Sequence, residues 1–274
     1  MGNQKIKSIF DFGSKELSGS AFWAWVLNEA CVDKQNLHAV AVGEAFLAKL
    51  GVSEDIVNGV ETEVNVKSGR VDIALLGDQD DKCGIGKEKR KPIAFIENKH
   101  FSTADVNKVI EQVNRYAGED TNLKKIIMTW RHDTASQWNV LEGTNNICFL
   151  GLEDQFMLIK RAKPKICPII NAYFDYISEL RTIRKRRIKE LSTKPFSKMS
   201  EDVWTEEDSL YEMMFQLTKG LKNDDDKSLR VHVGNSGSRK WVQAAFCVRE
   251  NDAKKYRKFF YRLDRDVNRS SKKS

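Results

Sequence analysis

The chain has 274 residues, of which 41% are hydrophobic and 31% are charged, with only 4 prolines and 16 glycines. These proportions exclude a collagen-like, proline-rich or wholly disordered chain and are typical of a globular protein with a substantial core. No apolar run is long enough to span a membrane, and residues 1–11 lack the apolar segment of a secretion signal. The 5 cysteines lie far apart without C-x-x-C spacing, which suits a reducing compartment. We therefore expect a soluble cytoplasmic protein without a membrane partner.

Charge is divided unevenly along the chain. Residues 1–159 carry 18 Lys+Arg and 23 Asp+Glu, a net charge of −5, whereas residues 160–274 carry 28 and 16, a net charge of +12. A basic segment joined to an acidic one is typical of proteins that handle polyanions such as nucleic acid, although a solvated basic surface explains the charge equally well. We predict a core domain at 1–159 and a basic C-terminal extension at 160–274.

The first 150 residues show the hydrophobic periodicity of alternating helices and strands. The predicted elements are helices at Ser20–Ala30 and His38–Leu50, a hairpin of Val60–Val66 and Arg70–Leu76, a buried strand at Pro92–Glu97, a helix at Thr103–Gly118, a strand at Leu123–Trp130, a helix or loop at Thr134–Leu141, and a strand at Asn146–Leu150. This order predicts an α/β fold with a mixed central sheet flanked by helices.

Beyond residue 151 the pattern becomes more helical and more basic. The predicted elements there are helices at Ile166–Leu191 and Glu207–Gly220 and a hairpin of Leu229–Val233 and Lys240–Arg249, so the extension is expected to be helical or α+β. Six cations lie close together in the second half of the long helix: Arg181, Arg184, Lys185, Arg186, Arg187 and Lys189. A solvated helix can carry that density, but phosphate contact better explains why so few acids interleave. We predict that these six residues bind nucleic acid.

Three charged residues are predicted to meet at one edge of the sheet. Asp72 lies within one predicted strand, and Glu97 and Lys99 close another. Residues two apart in a strand share a face, so Asp72 joins the pair if the two strands are neighbours. Two carboxylates beside an ammonium group suit Mg²⁺ and its bound water. A simple ion pair between Glu97 and Lys99 is an equally good explanation of the spacing alone.

Three short motifs follow one another along the predicted core: G-R-x-D at Gly69–Asp72, I-E-N-K at Ile96–Lys99 and Q-x-x-x-Y at Gln112–Tyr116. Together they resemble the active-site signature of the PD-(D/E)XK nuclease superfamily, and most closely its uncharacterised bacterial and phage branch. The first two predicted helices are also similar to that branch, and the resemblance covers roughly residues 15–150. Val71 stands where the superfamily name has proline. The resemblance implies a restriction-endonuclease-like core.

The resemblance further implies hydrolysis of phosphodiester bonds with Mg²⁺, for which Mn²⁺ can substitute. Asp72 and Glu97 would hold the metal, together with the carbonyl of Asn98, water and a substrate phosphate. Lys99 would position the attacking water and stabilise the transition state. Gln112 would face the same pocket and orient Lys99 or a phosphate, and an exposed polar position on the helix is the alternative.

Two further carboxylates are candidate metal ligands. Glu63 lies on the strand before Asp72, and Glu44 lies among apolar residues of the second helix, where a buried and paired position is expected. We favour Glu63 slightly, and surface exposure is the alternative for each.

The leading hypothesis is therefore a Mg²⁺-dependent nuclease, with DNA favoured over RNA, that acts in phage or bacterial defence or in DNA processing. The first alternative is a catalytically inactive nucleic-acid-binding protein on a nuclease scaffold. The second is an interaction protein whose acidic strand ends form only ion pairs. A homodimer is compatible with each of them.

Overall fold

The computed structural model describes residues 15–80, 84–86, 89–99, 106–118, 122–129, 147–162, 167–195, 198–200, 203, 230–236, 239–249 and 256–264. The chain divides into two compact units, one formed by residues 1–102 and 106–181 and the other by residues 103–105 and 182–274. The division falls after residue 181, later in the chain than the boundary predicted at residue 159.

The first unit contains both helices and strands. In chain order they are α1 (Lys15–Asn28), a π-helical turn (Glu29–Asp33), α2 (Leu37–Leu50), a 3-10 turn (Glu54–Ile56), β1 (Gly59–Val66), β2 (Gly69–Gln79), β3 (Arg90–Lys99), α3 (Val106–Ala117), β4 (Lys124–Thr129), β5 (Ile147–Leu150), α4 (Leu152–Ala162) and α5 (Pro168–Thr193), which contains the division between the units.

Strands β1 to β5 form one mixed sheet in the order β1-β2-β3-β4-β5. The pairs β1–β2 and β2–β3 are antiparallel, whereas β3–β4 and β4–β5 are parallel. A parallel pair needs a crossover connection, and α3 lies in the one between β3 and β4. The predicted α/β class, with a mixed sheet flanked by helices and β3 at its centre, is confirmed. The restriction-endonuclease-like form of the core stays a prediction.

The sheet buries apolar residues on both faces because side chains alternate along each strand. One face packs on α1, α2, α4 and α5 through Ile73, Leu75, Ala94, Ile96, Ile126 and Met128. On the other face, Ile127 and Phe149 pack with Val109 and Val113 of α3. Alternation from Ile96 therefore places Glu97 and Lys99 on the face that α3 covers.

Helix α2 shows why the local sequence forms this layer. The Asn36 side chain accepts two backbone N–H groups of the first turn, at 3.1 and 3.2 Å, and Gly51 ends the helix with φ of +64°. Within the helix, a Cβ on Gly43 would lie 2.5 Å from the Cβ of Ala30. Only glycine therefore permits this close packing of α2 on the residues that follow α1.

The hairpin of β1 and β2 is confirmed, with Val66 paired to Gly69 across the turn. Helix α3 ends at Ala117 and is followed by Gly118, with φ of +60°, the glycine predicted to terminate it. Helix α4 was not predicted. The predictions for Thr134–Leu141 and Glu207–Gly220 lie outside the described residues.

The second unit contains a three-stranded antiparallel sheet in the order β6-β7-β8, formed by β6 (Arg230–Ser236), β7 (Arg239–Arg249) and β8 (Tyr256–Asp264). The predicted hairpin of β6 and β7 is confirmed. Strand β8 was not predicted, because the adjacent aromatic residues at its centre interrupt a simple apolar and polar alternation.

Among the residues that the structure describes, no helix combines the length and apolar character that a membrane crossing requires.

Candidate active site

Asp72 and Glu97 are neighbours at the point where β2 and β3 stop pairing. The last paired residues of this ladder are Ile73 and Ile96, and each carboxylate is the next residue beyond them. The backbone N–H of Asn98 donates to Oδ2 of Asp72 at 2.7 Å. The Asp72 side chain thus accepts the backbone N–H of β3 in place of a backbone carbonyl of β2. This contact holds the Asp72 carboxylate beside Glu97.

Lys99 completes the cluster through an ion pair with Glu97. Its Nζ lies 2.7 Å from Oε1 of Glu97, and the two side chains are 21% and 4% exposed. The lysine side chain therefore remains partly exposed to solvent while the carboxylate is enclosed. The structure brings Asp72, Glu97 and Lys99 together, and it also contains the Glu97–Lys99 ion pair of the simpler explanation.

Gln112 reaches the cluster from α3. Its Nε2 donates to Oε1 of Glu97 at 2.9 Å and also to the hydroxyl of Tyr116, one helical turn further on. Helical spacing places residues i and i+4 on the same face, which is why both ends of the Q-x-x-x-Y motif point towards the sheet. The observed partners of Gln112 are thus the Glu97 carboxylate and Tyr116, and the role towards Lys99 or a phosphate that the resemblance implies stays a prediction.

Both carboxylates resist ionisation. Burial, and next the neighbouring charge of Asp72, raises the pKa of Glu97 to about 7, although the Lys99 ammonium opposes this shift. Burial also raises the pKa of Asp72, while the hydrogen bond from the Asn98 backbone opposes that shift. A cation bound between the two carboxylates would offset the burial and the mutual repulsion that raise their pKa values.

The donor set fits a hard divalent cation. Oε2 of Glu97 is buried and has no hydrogen-bond partner among the described residues. A buried carboxylate oxygen without a partner is costly, and a cation would satisfy it. The described residues contain no group of three or more His, Cys, Asp or Glu side chains that could hold a metal. A cation at Asp72 and Glu97 would therefore need water and substrate oxygens as further ligands. Mg²⁺ is commonly bound in this way, by one or two carboxylates together with water and phosphate.

The backbone and the side chain of Asn98 have different partners. Its backbone N–H serves Asp72, whereas its side-chain Nδ2 donates to Oγ of Ser20 on α1 at 3.0 Å. The side chain thus anchors β3 to α1 and is not a ligand at the cluster. This geometry is compatible with the prediction that Asn98 would contribute its backbone carbonyl, and not its side chain, to the metal.

Glu63 lies opposite Asp72 in the register of β1 and β2, between the pairs Thr62–Ile73 and Val64–Val71. Its φ of +54° is unusual for a residue with a side chain. Its carboxylate contacts Arg70 at 3.1 Å and is 41% exposed, and its charge contributes to the raised pKa of Asp72. Glu63 is thus close enough to influence the cluster, although its observed partner is Arg70.

Glu44 was the other candidate metal ligand, expected to be buried among apolar residues of the second helix. It is exposed on α2, so the prediction of a buried and paired carboxylate is wrong. The apolar neighbours in its sequence belong to the opposite side of an amphipathic helix, whose buried residues include Val42, Phe46 and Leu47.

The predicted basic helix is α5, but its cations differ in surroundings. Arg181 contacts Glu153 at 2.6 Å and lies 4.4 Å from the centre of the Phe156 ring, so it joins α5 to α4. Among the other five, Lys185, Arg186 and Lys189 are exposed, and Arg184 and Arg187 are half-buried. Arg186 also forms an ion pair with Glu190 at 3.5 Å.

Two polar residues near the cluster were missed by the sequence analysis. Thr129 of β4 is paired in register with Lys99 and is buried. Lys125 is buried on the same strand, and its Nζ donates to Oδ1 of Asn114 on α3 at 3.0 Å. The only available signal was the alternation of β4, which places both residues on the face that α3 covers.

Comparisons with protein-family models, curated proteins and solved structures yield no match to this chain.

Proposed function

We propose that the chain is a Mg²⁺-dependent nuclease that hydrolyses phosphodiester bonds, with DNA favoured over RNA as substrate. The observation that carries the proposal is the cluster of Asp72, Glu97 and Lys99, in which one buried carboxylate oxygen lacks a hydrogen-bond partner. A purely structural ion pair would not require a second carboxylate whose charge disfavours ionisation of the first. We include a role in phage or bacterial defence or in DNA processing in this proposal, because the motifs of the chain resemble those of the bacterial and phage branch of the PD-(D/E)XK nuclease superfamily.

Each residue of the cluster has a defined part in this proposal. When bound at Asp72 and Glu97, Mg²⁺ would supply Lewis-acid activation of water and of the scissile phosphate. Lys99, whose partly exposed side chain holds its ammonium group 2.7 Å from Glu97, would donate to the attacking water and to a phosphate oxygen. Gln112 holds the Glu97 carboxylate in one orientation. The attacking water forms the new bond to phosphorus and loses a proton to solvent, the bond to the ester oxygen on the opposite side breaks, and that oxygen takes up a proton from solvent.

The second candidate is a binding protein that retains the scaffold without turnover. The specific observation in its favour is that Lys99 lies 2.7 Å from Glu97, as it would in a stable ion pair. The two candidates are distinguished by removal of the Glu97 carboxylate in a folded variant. A nuclease would lose its activity, whereas a binding protein would keep its function.

The deciding experiment incubates the full chain with plasmid, linear DNA and RNA, each in Mg²⁺ or in EDTA. Cleavage in Mg²⁺ that EDTA abolishes supports the nuclease, and the substrate arms identify the nucleic acid. Glu97→Gln should abolish cleavage, whereas Glu111→Gln, which changes an exposed carboxylate of α3, should leave it intact. Cleavage that survives in Glu97→Gln would place the chemistry elsewhere, and binding without cleavage of any substrate would favour the second candidate.

A further inference from the structure

The sheet of β6, β7 and β8 separates residue types between its two faces. In an antiparallel sheet, residues two apart in one strand share a face, and so do residues paired directly across neighbouring strands. The register runs without a shift along both pairs of strands. Every residue of the three strands can therefore be assigned to one face or the other.

One face, here called the apolar face, has the composition of a core layer. Its members are Val231, Val233, Asn235, Lys240, Val242, Ala244, Phe246, Val248, Arg257, Phe259, Tyr261 and Leu263. The three strongly polar members lie near the ends of their strands. An antiparallel sheet commonly packs one such face on a core.

The other face, here called the basic-aromatic face, has a different composition. Its members are Arg230, His232, Gly234, Ser236, Arg239, Trp241, Gln243, Ala245, Cys247, Arg249, Tyr256, Lys258, Phe260, Arg262 and Asp264. Five Lys and Arg residues are thus set against one acid, together with three aromatic residues. Burial of so many cations with one counter-charge would be costly, which argues against a packed core on this face, and the excess of positive charge is complementary to a polyanion.

We propose that the basic-aromatic face of β6–β8 binds single-stranded DNA. Cations that track a phosphate backbone, combined with aromatic residues on which unpaired bases stack, are the general chemistry of single-strand recognition. The positions of Tyr256 and Phe260 are about 14 Å apart at roughly 3.4 Å per residue, and Trp241 lies on the central strand. The three aromatic positions are therefore spread over the face, as stacking on successive nucleotides requires.

Duplex DNA is a poorer fit to this composition. Its phosphates would satisfy the cations, but its paired bases offer no open surface on which Trp241, Tyr256 and Phe260 can stack. The choice of DNA over RNA rests on the proposed function, whereas the binding of unpaired bases does not. The surface is also distinct from the basic helix, whose candidate residues end at Lys189.

The test measures fluorescence anisotropy of labelled oligo-dT with the full chain in EDTA, at several salt concentrations, beside duplex DNA, oligo-U RNA and anionic lipid vesicles as competitors. The variant Arg230→Gln/Arg262→Gln removes two cations from the basic-aromatic face. Its matched control, Lys240→Gln/Arg257→Gln, removes the same charge from the apolar face. The first variant should weaken binding and flatten the log–log salt slope by about 1.4, at about 0.7 per phosphate contact on a single strand, whereas the control should change neither.

A second pair of variants tests stacking without a change of charge. Phe260→Leu should weaken oligo-dT binding by about tenfold, in line with the loss of one stacked base, whereas Phe259→Leu on the apolar face should not. Circular dichroism and thermal unfolding identify any variant that fails to fold, in which case the arginine pair decides.

Equal effects of the two charge variants, or tighter binding of duplex, RNA or vesicles than of oligo-dT, would overturn the proposal. Because binding is measured in EDTA, absence of cleavage in Mg²⁺ would refute the nuclease and leave this result unaffected.

Discussion

The ring of Tyr116 occupies the space where a side chain on Gly69 would lie. A Cβ built on Gly69 would come within 2.6 Å of Cε1 of Tyr116, and Gly69 also has a positive φ of +152°. The hydroxyl of the same ring accepts a hydrogen bond from Gln112, which in turn donates to Glu97. Gly69 therefore acts on the cluster at a distance, because its missing side chain leaves room for the ring that supports Gln112.

Gly69→Ala should disturb the cluster as well as the turn. Displacement of Tyr116 removes a partner of Gln112, so we expect loss of cleavage in addition to a stability loss of about 1–3 kcal/mol. Gly118→Ala is the matched control, because Gly118 has a positive φ of +60° but no atom within 4 Å of its Cβ position. Urea unfolding and Mg²⁺-dependent cleavage measure both effects. If the two variants were equally active, the contact with Tyr116 would be irrelevant to the cluster.

The sequence predicts this site well where side-chain periodicity determines position. Glu97 and Lys99 share a face because strand side chains alternate, and Gln112 with Tyr116 share one because helical residues four apart are neighbours. The left-handed backbone of Glu63 could not be predicted from the sequence. Glycine usually marks such a conformation, and here the position carries a glutamate. The burial of Glu44 was misjudged because apolar neighbours in sequence lie on the other side of a helix.

Glu97→Gln should stabilise the metal-free protein at alkaline pH. The pKa of Glu97 is about 7 in the folded chain and 4.5 for the ordinary side chain, so the folded state binds more protons over this range. Stability therefore falls as pH rises from about 4.5 towards 7, by up to about 3 kcal/mol for this group. Gln removes that loss, and urea unfolding in EDTA at pH 5 and pH 8 should show it. Glu111→Gln is the control, and a Glu97→Gln effect that is equal at both pH values would contradict the assignment.

Mg²⁺ should stabilise the protein more at pH 8 than at pH 5. The cation competes with protons for Asp72 and Glu97, whose raised pKa values leave them more protonated in acid. Thermal unfolding with Mg²⁺ or EDTA at the two pH values measures the difference. Asp72→Asn should abolish the Mg²⁺-dependent rise in unfolding temperature, and an undiminished rise in that variant would place the cation elsewhere.

Lys99→Met should separate catalysis from metal binding. Loss of the ammonium group removes a donor to the reacting phosphate and water, so we expect at least a ~100-fold fall in cleavage rate. The carboxylates remain, so stabilisation by Mg²⁺ should persist. Lys91→Met, at an exposed position of the same strand, is the control. Simultaneous loss of the Mg²⁺ effect would show that Lys99 serves the structure of the cluster.

The exposed lysines of α5 should contribute to duplex binding through phosphates. Lys185→Ser/Lys189→Ser is expected to flatten the log–log salt slope by about 2, at about 0.9 per phosphate on duplex DNA, with little regard to sequence. Lys160→Ser/Arg161→Ser removes two exposed cations from α4 as the control. Binding measured in EDTA over a range of salt distinguishes them, and identical slopes would make this part of α5 a solvated surface.

The hydrogen bond from the Asn98 backbone to Asp72 gives the protein an internal spectroscopic reporter. Most amide protons of a sheet donate to carbonyl groups, whose charge does not change with pH, but this one donates at 2.7 Å to a group that titrates. Its resonance frequency and its exchange with solvent are therefore coupled to the charge of a single carboxylate. The amide of Asn98 thus makes the ionic state of the cluster readable in solution, with neither substrate nor turnover required.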